Sequence, residues 1–277
     1  MKKIQFLGKE IASLGMGTWN MGVNESIYQQ ELEALRTGIE AGLTLIDTAE
    51  MYGDGLAEQL VGEAIKPYNR EKLQIVSKVY PWNATKEKTR ISLENSLKRL
   101  KTDYLDLYLL HWLEDVPLEE TVEILETLKL EGKIKNWGVS NLDLPEMEKV
   151  VSLSPNCVTN QVLYHLGSRG IEFDLKPWMD NRQMVTMAYS PLAQNNEKLL
   201  NNAALLKLAN KYQITIQQLM LAWVVHQPNT IAIPKSSKKE HVLANMKAMD
   251  IVLTKEDVAY IDNFFPSPTT KQPLAEI

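Results

Sequence analysis

The feature that most narrows the fold of this chain is strict alternation. Eight short apolar runs of strand character alternate with stretches of helical period. Residues 14–17, 43–47, 74–78, 105–111, 134–140, 158–161, 184–189 and 230–234 are the strand candidates. Between and after them, residues 29–41, 58–65, 86–100, 118–130, 144–151, 203–212 and 241–249 repeat apolar side chains three and four apart, the period of a helix with one buried face. Strands that alternate with helices in this way build a parallel sheet. With no linker or break in composition, the eight units predict one closed (β/α)8 barrel, a single domain over residues 1–277, a length such barrels routinely occupy. Ahead of it, residues 4–6 and 11–13 flank a turn at Gly8-Lys9 and predict a small hairpin that plugs one end of the barrel. Residues 255–264 predict a final helix before the Pro-rich segment Pro266-Ser267-Pro268.

In a barrel of this kind the C-terminal strand ends meet on one rim, and chemistry is carried there. Asp47, Tyr52, Lys78 and His111 each close a separate apolar run, at 45–47, 50–52, 75–78 and 107–111. A carboxylate, a phenol, an ammonium and an imidazole would therefore converge. A tyrosine is a weak acid at neutral pH, about three pK units from efficient proton transfer, or roughly 4 kcal/mol. A lysine ammonium about 4 Å away supplies roughly that amount in a partly screened site. Lys78 is thus expected to lower the Tyr52 pKa, Asp47 to keep Lys78 charged, and His111 to hydrogen-bond a substrate oxygen.

Several classes are excluded. The net charge of −5 comes from interspersed acids and bases without a long like-charged run, which predicts neither nucleic-acid nor membrane binding. Cys157 is the only cysteine, so an intrachain disulfide and a cysteine-zinc site are both ruled out, as fits the cytoplasm. No apolar stretch approaches the length of a membrane span. The apolar start breaks at Gly8-Lys9-Glu10 before a signal peptide could develop. His165 and His226 lack neighbours at ligand spacing, so no metal is implied. Gly15-Met16-Gly17 lacks the third glycine of a dinucleotide-binding turn, which points away from the doubly wound fold.

The motifs Asp47-Thr48-Ala49-Glu50-Met51-Tyr52-Gly53, Ser77-Lys78-Val79, Leu105-Asp106-Leu107-Tyr108-Leu109-Leu110-His111-Trp112, Gly132-Lys133-Ile134 with Gly138-Val139-Ser140-Asn141, Asn160-Gln161, Ala188-Tyr189-Ser190-Pro191-Leu192 and Ile233-Pro234-Lys235-Ser236, in this order, resemble the aldo-keto reductases. The resemblance runs along nearly the whole chain. Lys78-Val79-Tyr80-Pro81-Trp82-Asn83 and Leu163-Tyr164-His165-Leu166-Gly167-Ser168-Arg169-Gly170 are most similar to compact bacterial members that reduce methylglyoxal. It implies that Tyr52 is the general acid, that Lys78 and Asp47 tune it, and that His111 orients the carbonyl. It further implies a nicotinamide hydride donor held at its carboxamide by Ser140, Asn141 and Gln161. Tyr189 would stack on its ring, Ser190 and Leu192 would belong to the pyrophosphate-side loop, and Asn245 would contact the adenine.

Lys235 and Ser236 precede a predicted helix, so a 2′-phosphate there would meet an ammonium, a hydroxyl and a helix N-terminus. His241 stands where many members have arginine, and Ala244 where many have an acid. NADPH is therefore the expected cofactor, with NADH used at lower efficiency. Trp19 and Trp112 are the expected walls of the substrate pocket. The loops at 112–116 and 193–202 are short and the tail after Pro266 is brief, which predicts an open mouth and a small ligand. Small aldehydes and α-dicarbonyls fit, methylglyoxal first among them. The expected product is thus a monomeric, cytoplasmic oxidoreductase. The alternatives are an NADP(H)-binding regulatory or scaffold protein on the same barrel, and a barrel enzyme using the Lys78 amine as a Schiff base.

Overall fold

The computed structural model describes all 277 residues. Strands β1 (Lys3–Phe6) and β2 (Lys9–Ala12) pair antiparallel, with Lys3 opposite Ala12 and Phe6 opposite Lys9. The remaining strands form one parallel sheet in chain order: β3 (Met16–Gly17), β4 (Leu45–Asp47), β5 (Gln74–Val79), β6 (Leu107–Leu110), β7 (Trp137–Ser140), β8 (Cys157–Leu163), β9 (Val185–Tyr189) and β10 (Thr230–Ala232). The sheet curls until its two edges meet. Gly15 N–H donates to the Ala232 carbonyl at 2.8 Å, Ala232 N–H to Ser13 at 3.0 Å, and Gly17 N–H to Pro234 at 3.0 Å.

Helices occupy the crossovers and follow the last strand: α1 (Tyr28–Glu40), α2 (Leu56–Ile65), α3 (Lys86–Leu100), α4 (Leu118–Leu130), α5 (Leu144–Leu153), α6 (Leu175–Asn181), α7 (Glu197–Leu200), α8 (Ala203–Tyr212) and α9 (Ile216–Val225) lie between strands, and α10 (Lys239–Lys247) and α11 (Lys255–Phe264) come after β10. Their buried faces and the outward faces of the strands make one large core, while a second cluster fills the inside of the curled sheet. That inner cluster includes Leu45, Val76, Leu107, Val185 and Ile231 from five strands, together with Phe6 and Ile11 from the hairpin. The hairpin therefore plugs the N-terminal end of the sheet, as its sequence position suggests, and leaves the C-terminal rim open for the site.

Three helices have no counterpart in the periodicity, among them α7, a single turn of four residues. α9 reads Ile-Gln-Gln-Leu-Met-Leu-Ala-Trp-Val-Val and is buried from Gln218 to Val225, so no polar face exists to generate a 3.6-residue signal. Its start is nevertheless marked: the Thr215 hydroxyl accepts from Gln218 N–H, and the Gln218 side chain accepts from Thr215 N–H, a reciprocal cap. α6 is seven residues long and contains Pro177. α10 begins at Lys239, two residues before the predicted start.

The seam where β3 meets the segment after β10 leaves no room for a side chain. A Cβ on Gly17 would lie 2.7 Å from the Ile233 carbonyl oxygen, and backbone cannot yield there as a flexible side chain could. Gly17→Ala is expected to cost about 1–3 kcal/mol of unfolding free energy. An unchanged denaturation midpoint in that variant would show that the seam does not restrain the sheet.

Candidate active site

Parallel register brings the rim residues together. Asp47 ends β4, Lys78 is the penultimate residue of β5, and His111 follows β6 directly, its N–H donating to the Val79 carbonyl at 3.1 Å. Tyr52 differs from expectation: residues 50–52 form no strand, and the tyrosine stands in the turn between β4 and α2, five residues after Asp47. Turns at Asp54 and Gly55, both at positive φ, fold that loop back over the rim.

Lys78 is fully buried, and its ammonium has three acceptors: Asp47 Oδ2 at 2.8 Å, the Thr48 carbonyl at 2.8 Å and Tyr52 Oη at 3.0 Å. An ammonium has three protons to give, so all are used. The second Asp47 oxygen, Oδ1, accepts from Gln161 Nε2 at 2.8 Å. Thr18, buried beside it, donates to the Asp47 carbonyl at 2.9 Å and fixes that strand end.

The electrostatics partly correct the sequence reading. Burial pushes the Tyr52 phenol above its ordinary pKa, and the Lys78 charge and hydrogen bond only reduce that rise. Lys78 therefore does not bring the phenol toward neutrality, because removing the ring from water costs the phenolate more than one ammonium, itself shared with Asp47, returns. Burial also works against the charge on Lys78, but Asp47 and the phenol oxygen hold it above the usual lysine value. His111 is pushed by burial, and then by the Lys78 ammonium, down to about 2, so its ring is neutral. Its Nδ1 is buried without a partner. A proton on Nε2 then leaves a donor for the cavity.

These groups open into a cavity of about 310 Å³. Asp47, Tyr52, His111, Trp19, Trp112, Ser140, Asn141, Gln161, Tyr189, Ser190 and Lys235 all reach its wall. Ser140 donates to the Gln161 carbonyl at 2.8 Å, and Tyr189 Oη donates to Asn141 Oδ1 at 3.0 Å, so the amides and the aromatic ring form one connected wall. Ser236 and Asn245 lie apart, bonded to each other at 3.1 Å beside a small separate hollow between β3, α1 and α10. Leu192 packs against the core rather than the cavity, and His241 is exposed on α10 away from it.

The mouth is less open than the brief tail suggested. Beyond α11 the chain doubles back, held where Arg169 bonds the Phe265 carbonyl and Ser267, and where Lys271 bridges Asp143 at 2.6 Å and Asp174 at 2.9 Å. Glu276 and Ile277 thereby reach the cavity wall. No local sequence signal marks them, since their place depends on contacts about 100 residues away. Met51, one residue before Tyr52, also lines the cavity and was legible only as part of its motif.

The sequence model described as the Aldo/keto reductase family matches residues 13–265. The methylglyoxal reductase YeaE of Escherichia coli (strain K12) is 50% identical over 279 residues, covering 99% of this chain and 98% of the relative. A glyoxal reductase of Bacillus subtilis is 34% identical over 261 residues, covering 92% and 89%. An aldo/keto reductase from Klebsiella pneumoniae, solved in complex with NADP and acetate, superposes with a TM-score of 0.95 at 49% identity, covering 98% of this chain and 97% of that one.

The depressed His111 pKa has a consequence for acid stability. The folded chain keeps the ring neutral down to about 2, whereas an unfolded histidine takes up a proton near 6.5. Unfolding therefore binds protons, and stability falls as pH drops below 6.5. Between pH 6.5 and 5.0, denaturant titration of the wild type should lose about 1.5 kcal/mol more than His111→Gln. Parallel losses in the two proteins would mean that the ring is not held neutral.

Proposed function

The chain belongs to the aldo/keto reductase family, and from that premise we propose that it reduces small aldehydes and α-dicarbonyls, methylglyoxal among them, to alcohols, with NADPH as hydride donor. The observation that carries the reading is the Lys78 ammonium, hydrogen-bonded at once to Asp47 and to the Tyr52 phenol in the wall of a cavity that His111 also lines. The named activity of the Escherichia coli relative, 50% identical along its length, supports the substrate class. The NADP complex of the Klebsiella pneumoniae enzyme supports the cofactor. The chain would act as one closed (β/α)8 barrel over residues 1–277, as a monomer, in the cytoplasm, with the buried free thiol of Cys157 suited to a reducing compartment.

The residues present fit a nicotinamide nucleotide. Asn141 and Gln161 offer side-chain amides beside Ser140, matching a carboxamide that must both donate and accept, and Tyr189 offers a ring face. Lys235 brings a partly exposed ammonium to the far end of the cavity. The N-cap of α10, Lys238, makes no side-chain capping bond, so N–H groups of the first turn remain available to a phosphate. Ser190 would face the pyrophosphate, and Asn245 with Ser236 the adenine end. The positions of Leu192 and His241 support only indirect parts: Leu192 would shape its loop, and His241 would add no permanent cation, so NADH would be accepted at lower efficiency.

When bound, the reduced nicotinamide supplies the hydride that reaches the carbonyl carbon. The protein's own task is to hold the carbonyl oxygen and give it a proton. His111, neutral, donates a hydrogen bond that fixes the oxygen near Tyr52. Tyr52 then gives its Oη proton to the oxygen as negative charge builds there. A phenol above its ordinary pKa still suffices, because the alkoxide in formation is far more basic than a phenolate. The remaining phenolate is met at 3.0 Å by the Lys78 ammonium, which Asp47 keeps charged and in place. Trp19 and Trp112 would exclude water from the substrate side. A Schiff base at Lys78 is disfavoured, since the amine has three hydrogen-bond acceptors and is held protonated.

Two variants test the reading. Tyr52→Phe should lower kcat/KM for methylglyoxal by about 10²–10⁴, the usual contribution of a positioned acid, with NADPH binding retained. Lys235→Met should weaken NADPH binding about tenfold or more, the worth of a charge-assisted hydrogen bond, and change NADH little. Tight NADPH binding by the wild type without turnover of any small carbonyl would identify a regulatory protein instead.

A further inference from the structure

Behind the proposed phosphate site lies a buried charge with no part in proton transfer. Glu31, in the first turn of α1, is fully buried. Its Oε2 accepts from the Gly22 N–H at 2.8 Å, and its Oε1 accepts from the Ser237 hydroxyl at 2.9 Å. The Lys235 ammonium stands 4.0 Å from the same Oε1, the only lysine or arginine so close to this carboxylate. Gln30, its neighbour, donates to the Ser237 carbonyl at 2.9 Å. One carboxylate thus joins the loop after β3, which carries Trp19, to the loop after β10, which carries Lys235.

We propose that Glu31 is a positioning residue that weakens the preference of this chain for the 2′-phosphorylated cofactor, by holding a negative charge against Lys235. The proposal rests on the reading of Lys235 as the phosphate's ligand. At 4.0 Å the two groups attract without forming a hydrogen bond, and the lysine side chain remains 37% exposed, free to turn toward a phosphate. A phosphate seated there shares the ammonium with Glu31 and is repelled by it. Because the carboxylate is out of water, solvent screens that repulsion poorly. A cofactor with a plain ribose hydroxyl at the same place carries no such charge and is indifferent.

The surroundings do little to offset this. In the basic run from Lys235 to Lys239, Lys239 is paired with Glu33 at 2.6 Å. Glu240 adds a further acid to the first turn of α10. The net field at the site is therefore more modest than three lysines within five residues would suggest, and Glu31 is its buried component.

The test is the dissociation constant of NADPH and of NADH, read from quenching of tryptophan fluorescence, for wild type, Glu31→Gln, Ser237→Ala and Lys235→Met. Glutamine keeps the shape and an acceptor for Gly22 while removing the charge. Glu31→Gln is expected to tighten NADPH by about threefold or more and to leave NADH within about twofold. Equal shifts for both cofactors, or weaker NADPH binding, would overturn the proposal, because a purely structural role moves the two together. Ser237→Ala, on a surface loop, keeps the test open if Glu31→Gln does not fold. It frees Oε1 to draw Lys235 inward and should weaken NADPH relative to NADH, so no relative change overturns the proposal as well. Lys235→Met separates the two levels: unchanged NADPH affinity there removes the phosphate site itself, whereas a large loss there without a selective Glu31 effect removes only the proposal.

Discussion

The burial of the Lys78 ammonium is the constraint on which the site depends. An unpaired cation at that depth would cost several kcal/mol and would shed its proton. Asp47 can answer it only because β4 and β5 are adjacent and parallel, which places the ends of both strands at one height. The same ammonium then has one proton left for Tyr52 and one for the Thr48 carbonyl. Asp47, in turn, uses its other oxygen to hold Gln161, four strands away across the mouth. A single buried ion pair thereby ties opposite sides of the rim, and the walls that carry Tyr52 and Gln161 are one hydrogen-bonded unit.

The electrostatic role of that pair differs from simple acidification of the tyrosine. Low dielectric strengthens the attraction of Lys78 for a phenolate, yet it also removes the water that would otherwise solvate that anion. The second effect is larger here, and the phenol keeps its proton in the resting site. The chemical sense of this is timing. In the proposed reaction Tyr52 would stay protonated until a stronger base is created beside it, with Lys78 at hydrogen-bond distance to meet the charge that appears. His111, made neutral by the same burial, can donate without competing for that proton.

A second buried carboxylate, Glu31, repeats the theme beside Lys235 with a looser partner. Asp47 grips its lysine at 2.8 Å, whereas Glu31 stands 4.0 Å from Lys235. In the proposed reading the tight pair belongs to a group that must not move, and the loose one to a group that must remain free for a ligand. The tail adds a third element, held to the body by Arg169 and Lys271 and delivering Glu276 to the mouth.

Much of this was legible in the chain itself. Strand and helix alternation, the hairpin, the acid–base quartet, the amide pair and the basic segment before α10 all rest on short-range patterns: a period of two or 3.6, a turn, a motif a few residues long. Where those patterns vanish, so did the reading. α9 has no polar face because it is buried all round, and Tyr52 took its place from a turn rather than a strand. The pKa of Tyr52, the packing of Leu192 into the core, the return of the tail to the rim and the coupling of Glu31 to Lys235 were decided by tertiary structure alone. Each depends on how much water is excluded and on which distant residues arrive, and neither quantity is written in local sequence: Glu31 and Ser237 are 206 positions apart until the sheet curls and its edges join.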